Sequence, residues 1–221
     1  MTEQSLWLPE SANTVGRPAV LSRWEITQAA LKIADAEGLE AISMRRVASE
    51  IGAGAASIYR HLANRDELIE SMIDATAAEY RLEALPTNWP EYPIALGLQA
   101  MTIMKKHAWL AQQVLTRAAL GPNALQVLED FLTALKNHPA SSTAKLEAFA
   151  MLNAMAALFA INQAPDHDSR AASQAEYLSR LAQAGTHPEL SKVFATAAPA
   201  VAVEDRFSRT LTAVLRGALE H

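Results

Sequence analysis

Cysteine is absent from the 221-residue sequence. Its absence excludes a disulfide framework, thiolate catalysis and thiolate metal sites, and a reducing cytoplasm fits it. No run of about 18 uninterrupted apolar residues stands out, so no membrane span is expected. The opening MTEQSLWLPES has no basic segment leading into an apolar core and does not read as a signal peptide. Strand-like alternation is missing as well. No His-Glu metal motif, Gly-rich phosphate loop or paired-carboxylate spacing is present, so neither an enzyme nor a metal or other cofactor is expected.

What is present suits a globular helical protein. Half of the residues are apolar and 19% are charged, enough to bury a core. The formal net charge is −5, which by itself argues against a nucleic-acid partner. Its distribution argues the other way. Residues 17–65 carry seven basic and five acidic side chains, whereas residues 66–221 carry twelve basic and seventeen acidic ones.

Capping signals divide the chain. Residues 1–21, with Pro9, Gly16 and Pro18, read as a flexible arm in which Arg17 is a possible DNA contact. Ser22 with Glu25 is a capping box ahead of Ile26, Ala30, Ile33 and Ala34. Ser43 caps a short second helix with Met44, Val47 and Ile51 buried. A third short helix starts near Ala55 with Ile58 and Leu62 inward. Asn64 caps a fourth, with Glu67 as reciprocal partner. Beyond Pro86, Pro90 and Pro93, further helices are expected at roughly 93–107, 108–118, 123–137, 143–163, 174–184, 187–197 and 203–218. Asp166-His167-Asp168 reads as a solvated loop rather than a metal cluster. The closing Leu219-Glu220-His221 resembles the remnant of an affinity tag. The fold class is all-α: an arm (1–21), a small N-terminal helical domain (22–68) and a larger C-terminal bundle (69–219).

Two short helices joined by the tight turn IGAG and packed on a first helix make a helix-turn-helix. Small residues at Gly54, Ala55 and Ala56 let the second helix of the pair approach a DNA groove closely. Ser43, Ser57, Tyr59, His61 and Arg65 can then hold phosphates.

The span RPAVLSRWEITQAALKIADAEGLEAISMRRVASEIGAGAASIYRHLANRDELIESM resembles the N-terminal domain of TetR-family transcriptional repressors. The run KHAWLAQQVL and the closing RFSRTLTAVLRGALE are similar to the C-terminal regulatory domain of one large branch of that family. The resemblance implies a homodimer that binds a near-palindromic double-stranded DNA operator and responds to a small organic effector in the C-terminal bundle. By position it makes Ser43, Arg45, Ala55, Ala56, Ser57, Tyr59, Arg60 and His61 the DNA-facing residues. Arg65 stands where a phosphate-binding Lys is common. The departure is at Gly54-Ala55-Ala56, where many relatives carry longer polar side chains. Ala55 or Ala56 would then touch a thymine methyl and Arg60 a guanine. Two other readings remain open at this level, a helical small-molecule sensor acting through protein contacts and a helical-bundle enzyme.

An effector pocket is expected to draw on Met101, Met104, His107, Trp109, Phe131, Met151, Asn153, Met155, Phe159 and Asn162, an apolar set with a few polar fixings. Core packing is the other reading of each apolar one. A dimer face is expected from the small-residue helix carrying Ala150, Ala154 and Ala157, together with Leu211, Val214 and Leu215 of the last helix; a monomeric core would use the same residues.

Overall fold

A computed structural model describes residues 6–7, 21–117, 121–163, 165–184, 187–195 and 201–220. Within them the chain forms eleven α-helices and no strand.

The N-terminal helices start where the capping residues stand. α1 (Arg23–Glu37) begins at Ser22, whose Oγ accepts from the Glu25 N–H while the Glu25 carboxylate accepts from Ser22 N at 2.8 Å. α2 (Met44–Glu50) is capped by Ser43, and the chain then turns through Gly52, at φ +66°, a conformation that costs residues with a Cβ. α3 (Ala55–Ile58) follows at once. α4 (Arg65–Ala77) is capped by Asn64, whose Oδ1 accepts from Glu67 N at 2.9 Å. The Glu67 carboxylate returns not to the cap but to the N–H of Ala63, one residue earlier, at 2.7 Å. Ile26, Ile33, Ile58, Leu62, Leu68 and Met72 meet at the centre, each almost fully buried. At about 1.5–3 kcal/mol per large apolar side chain, this cluster holds α1 and α3 to α4.

Charge reinforces the packing. Arg46 donates to Glu37 at 2.7 Å and to Glu50 at 3.0 Å, and Lys32 donates to Glu50 at 2.8 Å. α1 and α2 are thereby cross-linked at the surface. The bonds from Lys32 and Arg46 hold the Glu50 carboxyl below its ordinary range.

In the C-terminal half α5 (Glu91–Lys106), α6 (Leu110–Thr116) and α11 (Val203–Leu219) pack around α8 (Ser142–Ile161), and α7 (Pro122–Ala134) lies against α4. α9 (Pro165–Gln183) and α10 (Pro188–Ala195) pack on each other. Several expectations change here. Asp166-His167-Asp168 lie in the first turn of α9 rather than in a loop, because Pro165 suits a first helical position and acidic residues suit the N-terminal end of the helix dipole. Leu219, in the closing run that resembles a tag remnant, is 3% exposed and completes the buried row Phe207, Leu211, Leu215 of α11. Leu6, within the expected flexible arm, is buried, and the Arg23 guanidinium donates to its carbonyl. Arg17 and the other residues at 1–5 and 8–20 lie outside the described residues. α8 is long and apolar enough by length and composition to cross a membrane, which the sequence reading missed. Its contacts with α5, α6 and α11 make it the central helix of the bundle.

Two polar seams tie the halves together. Asp74, on α4 and 4% exposed, accepts from Ala124 N at 3.0 Å and from Asn123 Nδ2 at 2.8 Å. α7 has no side-chain cap of its own, so Asp74 caps it from another helix. Burial raises the Asp74 pKa, and the hydrogen bonds from Ala124 and Asn123 pull against that rise. The second seam is His107, 2% exposed at the end of α5. Its Nδ1 lies 2.7 Å from Asp35 Oδ1 of α1 and its Nε2 lies 2.9 Å from Glu79 Oε1, just after α4. Ionised carboxylates only accept, so both bonds form together when the ring carries a proton on each nitrogen. Trp109 Nε1 also donates to Asp35, and Lys106 donates to Glu79. Burial pushes the Glu79 pKa up, but the bonds from Lys106 and His107 outweigh it and hold the carboxyl low.

Each seam has a measurable consequence. A Cβ at Gly121 would stand 2.4 Å from Asp74 Cγ and 2.7 Å from its Cβ, so Gly121→Ala is expected to destabilise the fold by about 1–3 kcal/mol in chemical denaturation. A carboxylate with a depressed pKa stabilises the fold above its ordinary value of 4.5 and loses that contribution as pH falls below it. Glu79→Gln is therefore expected to cost roughly 1–2 kcal/mol at neutral pH, with the gap to the parent closing as pH drops below 4.5. A gap constant across that range would exclude the ionised bridge.

Candidate nucleic-acid interface and effector cavity

The short α3 presents small side chains at its start. Ala56 and Gly54 are exposed, Ala55 and Ser57 half-buried, and Ile58 faces the core. Tyr59, at 54% exposure, and Arg60 project to solvent beyond it. The Arg60 Nη2 donates to Ser57 Oγ at 3.2 Å, which draws the guanidinium back along α3. His61 is half-buried beside them.

Ser43, Arg45, Tyr59 and Arg65, expected on separate grounds, line one open cleft with Met44, Ala63 and Asn64. The cleft lies between the start of α2 and the start of α4. Arg45 is exposed there with its guanidinium available. Arg65 is not simply a surface cation: its Nε donates to the Ile42 carbonyl at 2.8 Å and its Nη2 to the Leu39 carbonyl at 2.9 Å. Two of its five N–H groups thus clamp the segment between α1 and α2 onto α4, while Arg65 also lines the cleft. The cleft combines cationic, hydroxyl and amide donors without a carboxylate in its lining. That is the donor set that suits a phosphate backbone.

In the C-terminal half a cavity of about 440 Å³ opens between α4, α5, α6, α7 and α8. Of the residues expected there, Met104 and Asn153 line it. Phe131 sits behind it, fully buried, with its ring 5.2 Å from that of the lining residue Phe149. Met101 is buried under Gln163, and Met155 and Phe159 pack against the core. His107 and Trp109 serve the seam to α1. Met151 is exposed, and Asn162 is the C-cap of α8.

The residues expected at a dimer face also divide. Ala157, Leu211 and Leu215 are buried within the protomer, since α8 and α11 spend those faces on each other. Val214 is half-buried, while Ala150 and Ala154 are exposed and stand on the cavity wall.

Sequence reasoning missed Arg117, Thr76 and Tyr80, all of which line the cavity. Burial keeps the Tyr80 hydroxyl protonated by raising its pKa. A signal for Arg117 existed: it is the sole Asp, Glu, Lys or Arg between Lys106 and Glu129. Its Nη2 donates to Asp66 of α4 at 2.8 Å and its Nε to Gln113 at 3.0 Å.

Residues 26–72 match the family model described as bacterial regulatory proteins, tetR family, and residues 84–221 match a tetracyclin repressor-like C-terminal domain. The HTH-type transcriptional repressor DrrR1 of Streptomyces coeruleorubidus is 34% identical over 137 residues, 61% of this chain and 51% of that protein. An HTH-type transcriptional regulator of Saccharopolyspora erythraea is 31% identical over 133 residues, 59% of this chain and 56% of that one. The chain thus spans about half the length of these curated relatives. Among solved structures, the TetR family protein ActR of Streptomyces coelicolor in complex with (S)-DNPA superposes with a TM-score of 0.75 at 27% identity, covering 92% of this chain and 98% of that one. The C-terminal match alone spans more than half of the sequence and the helix-turn-helix match adds the other end, so the chain belongs to the TetR family of bacterial regulatory proteins.

Proposed function

We propose that the protein is a homodimeric, effector-responsive transcriptional repressor acting in the cytoplasm. It binds a near-palindromic operator through α3 and the cleft beside it. The observation that carries this reading is the course of α4. Its first residue, Arg65, clamps the reading head, and Ile73, Thr76 and Ala77 near its far end line the cavity. One helix of 13 residues, about 20 Å long, therefore joins the two sites.

Arg45, Ser43, Tyr59 and the outward N–H groups of Arg65 hold phosphates, and the blank start of α3 lets its backbone approach the groove. Arg60 swings away from Ser57 to read a base, and Ala55 and Ala56 offer methyl contacts. Because so few side chains at this turn reach base edges, DNA shape carries part of the specificity. A second copy of the chain supplies the other half-site. Support for the dimer comes from α8, where Leu146, Ala150, Ala154 and Leu158 recur every four residues and all are exposed. The cavity holds a small organic effector. ActR has been solved in complex with actinorhodin, and that likeness extends over the C-terminal domain. Effector binding favours an arrangement with the reading heads misplaced, a coupling of about 1–3 kcal/mol that weakens operator binding roughly 5–150-fold.

Selection of DNA sites from a random pool by the purified protein tests the whole reading, with a two-fold-symmetric consensus expected. Arg45→Ala is expected to weaken selected and random DNA alike and to reduce the salt dependence by about one ion; an unchanged salt slope removes Arg45 from the phosphates. Arg60→Ala is expected to relax the preference at one position in each half-site, at a cost of about 1–3 kcal/mol there. Identical selection profiles for variant and parent would show that Arg60 reads no base.

A further inference from the structure

We infer that the cavity selects an apolar, aromatic effector bearing an anionic group, and that this group releases Asp66 by taking Arg117 from it. The inference rests on the reading of the cavity as the effector site.

The charge pattern carries it. Among the described residues Arg117 is the sole formally charged one in the lining, and no carboxylate of theirs faces the cavity. The remaining polar groups are few: the Tyr80 hydroxyl, and Thr76 and Asn153, each of which already donates to a carbonyl of its own helix. The walls are otherwise aliphatic, with Phe149 and Tyr80 as aromatic surface. A cationic ligand would meet Arg117 with no carboxylate in the lining to offset it, since the counter-charge Asp66 lies outside the cavity wall. A neutral apolar ligand would fill the space and leave the guanidinium on Asp66 and Gln113. An apolar acid satisfies both the walls and the charge.

Arg117 is also held so that it can be exchanged. Gln113 fixes the Nε end of the fork, and Asp66 takes only one Nη2 bond, leaving N–H groups unused by either partner. The Asp66 side chain is 69% exposed, so its pair with Arg117 is hydrated and weak. An anion arriving from the apolar side meets the same guanidinium where water is scarcer, and the same charge pair is worth more there. The ligand therefore wins the competition.

Losing Arg117 frees the first turn of α4. Asp66 is the neighbour of Arg65, whose guanidinium holds the Leu39 and Ile42 carbonyls. The tie from α6 to the base of the reading head is then cut by the same event that fills the cavity.

Titration calorimetry on the full chain with 2-naphthoate and anthracene-2-carboxylate, each against its carboxamide, tests this. The parent is expected to bind the carboxylates about tenfold or more tightly than the amides. Arg117→Gln is expected to abolish that difference and Arg117→Lys to keep part of it, while amide affinity stays unchanged. Asp66→Asn removes the competitor, so it is expected to tighten carboxylate binding about two- to fivefold. In anisotropy titrations with the selected DNA site it is expected to weaken operator binding before any ligand is added. Amides that bind as well as the acids overturn the charge inference and leave the cavity standing as an effector site. No heat from any of the four at about 1 mM overturns both. Unchanged carboxylate affinity in Asp66→Asn overturns the exchange, and unchanged affinity in Arg117→Gln overturns the role of Arg117.

Discussion

The carboxylate of Asp74 sits in a seam where water is nearly excluded, and the attachment of α7 to α4 depends on it. A buried charge of this kind is costly unless its hydrogen bonds are met. Here they are met by the start of another helix, whose N–H groups would otherwise be orphans. The two deficits cancel only at one separation, and Gly121 permits that separation by having no side chain. A wall of the cavity is thus fixed to α4 by a contact with little tolerance. His107 makes a comparable link on the other side of α4, from α1 through the end of α5 to Glu79. The regulatory half is therefore bonded to the DNA-binding half as well as packed on it.

Much of the fold was legible in the residues. Ser22, Ser43 and Asn64 begin their helices as capping chemistry requires, because a cap is a local interaction decided within four residues. The helix-turn-helix followed from the same local signals. What sequence could not supply was the partner of each buried face. The apolar rows of α8 and α11 suit a dimer face or a core equally well, and the choice depends on how α5, α6 and α11 surround α8. His107 and Trp109 looked like pocket residues because a polar aromatic near a helix junction suits a ligand. Their partner Asp35 lies more than seventy residues away, and only the tertiary structure brings it to them. The role of Arg46 is settled in the same way, since its partner Glu37 belongs to another helix.

Charge in the reading head is divided by use. Arg46 and Lys32 are spent on Glu37 and Glu50, which stiffen the α1–α2 corner. Arg65 is partly spent on backbone carbonyls. Arg45 is exposed, and Arg60 is hydrogen-bonded to Ser57. A modest net positive charge over this region therefore overstates the cations a nucleic acid can use, and their placement matters more than their number.

The Arg65 clamp has a geometric consequence. Because the segment between α1 and α2 is hydrogen-bonded to the first residue of α4, any tilt of that helix carries the whole reading head with it. α4 then behaves as a lever arm about 20 Å long. A rotation of about 3° at the cavity end displaces the far end by roughly 1 Å. In a two-fold assembly such displacements add across the axis, so the molecule would work as a caliper, with its effector setting the gauge.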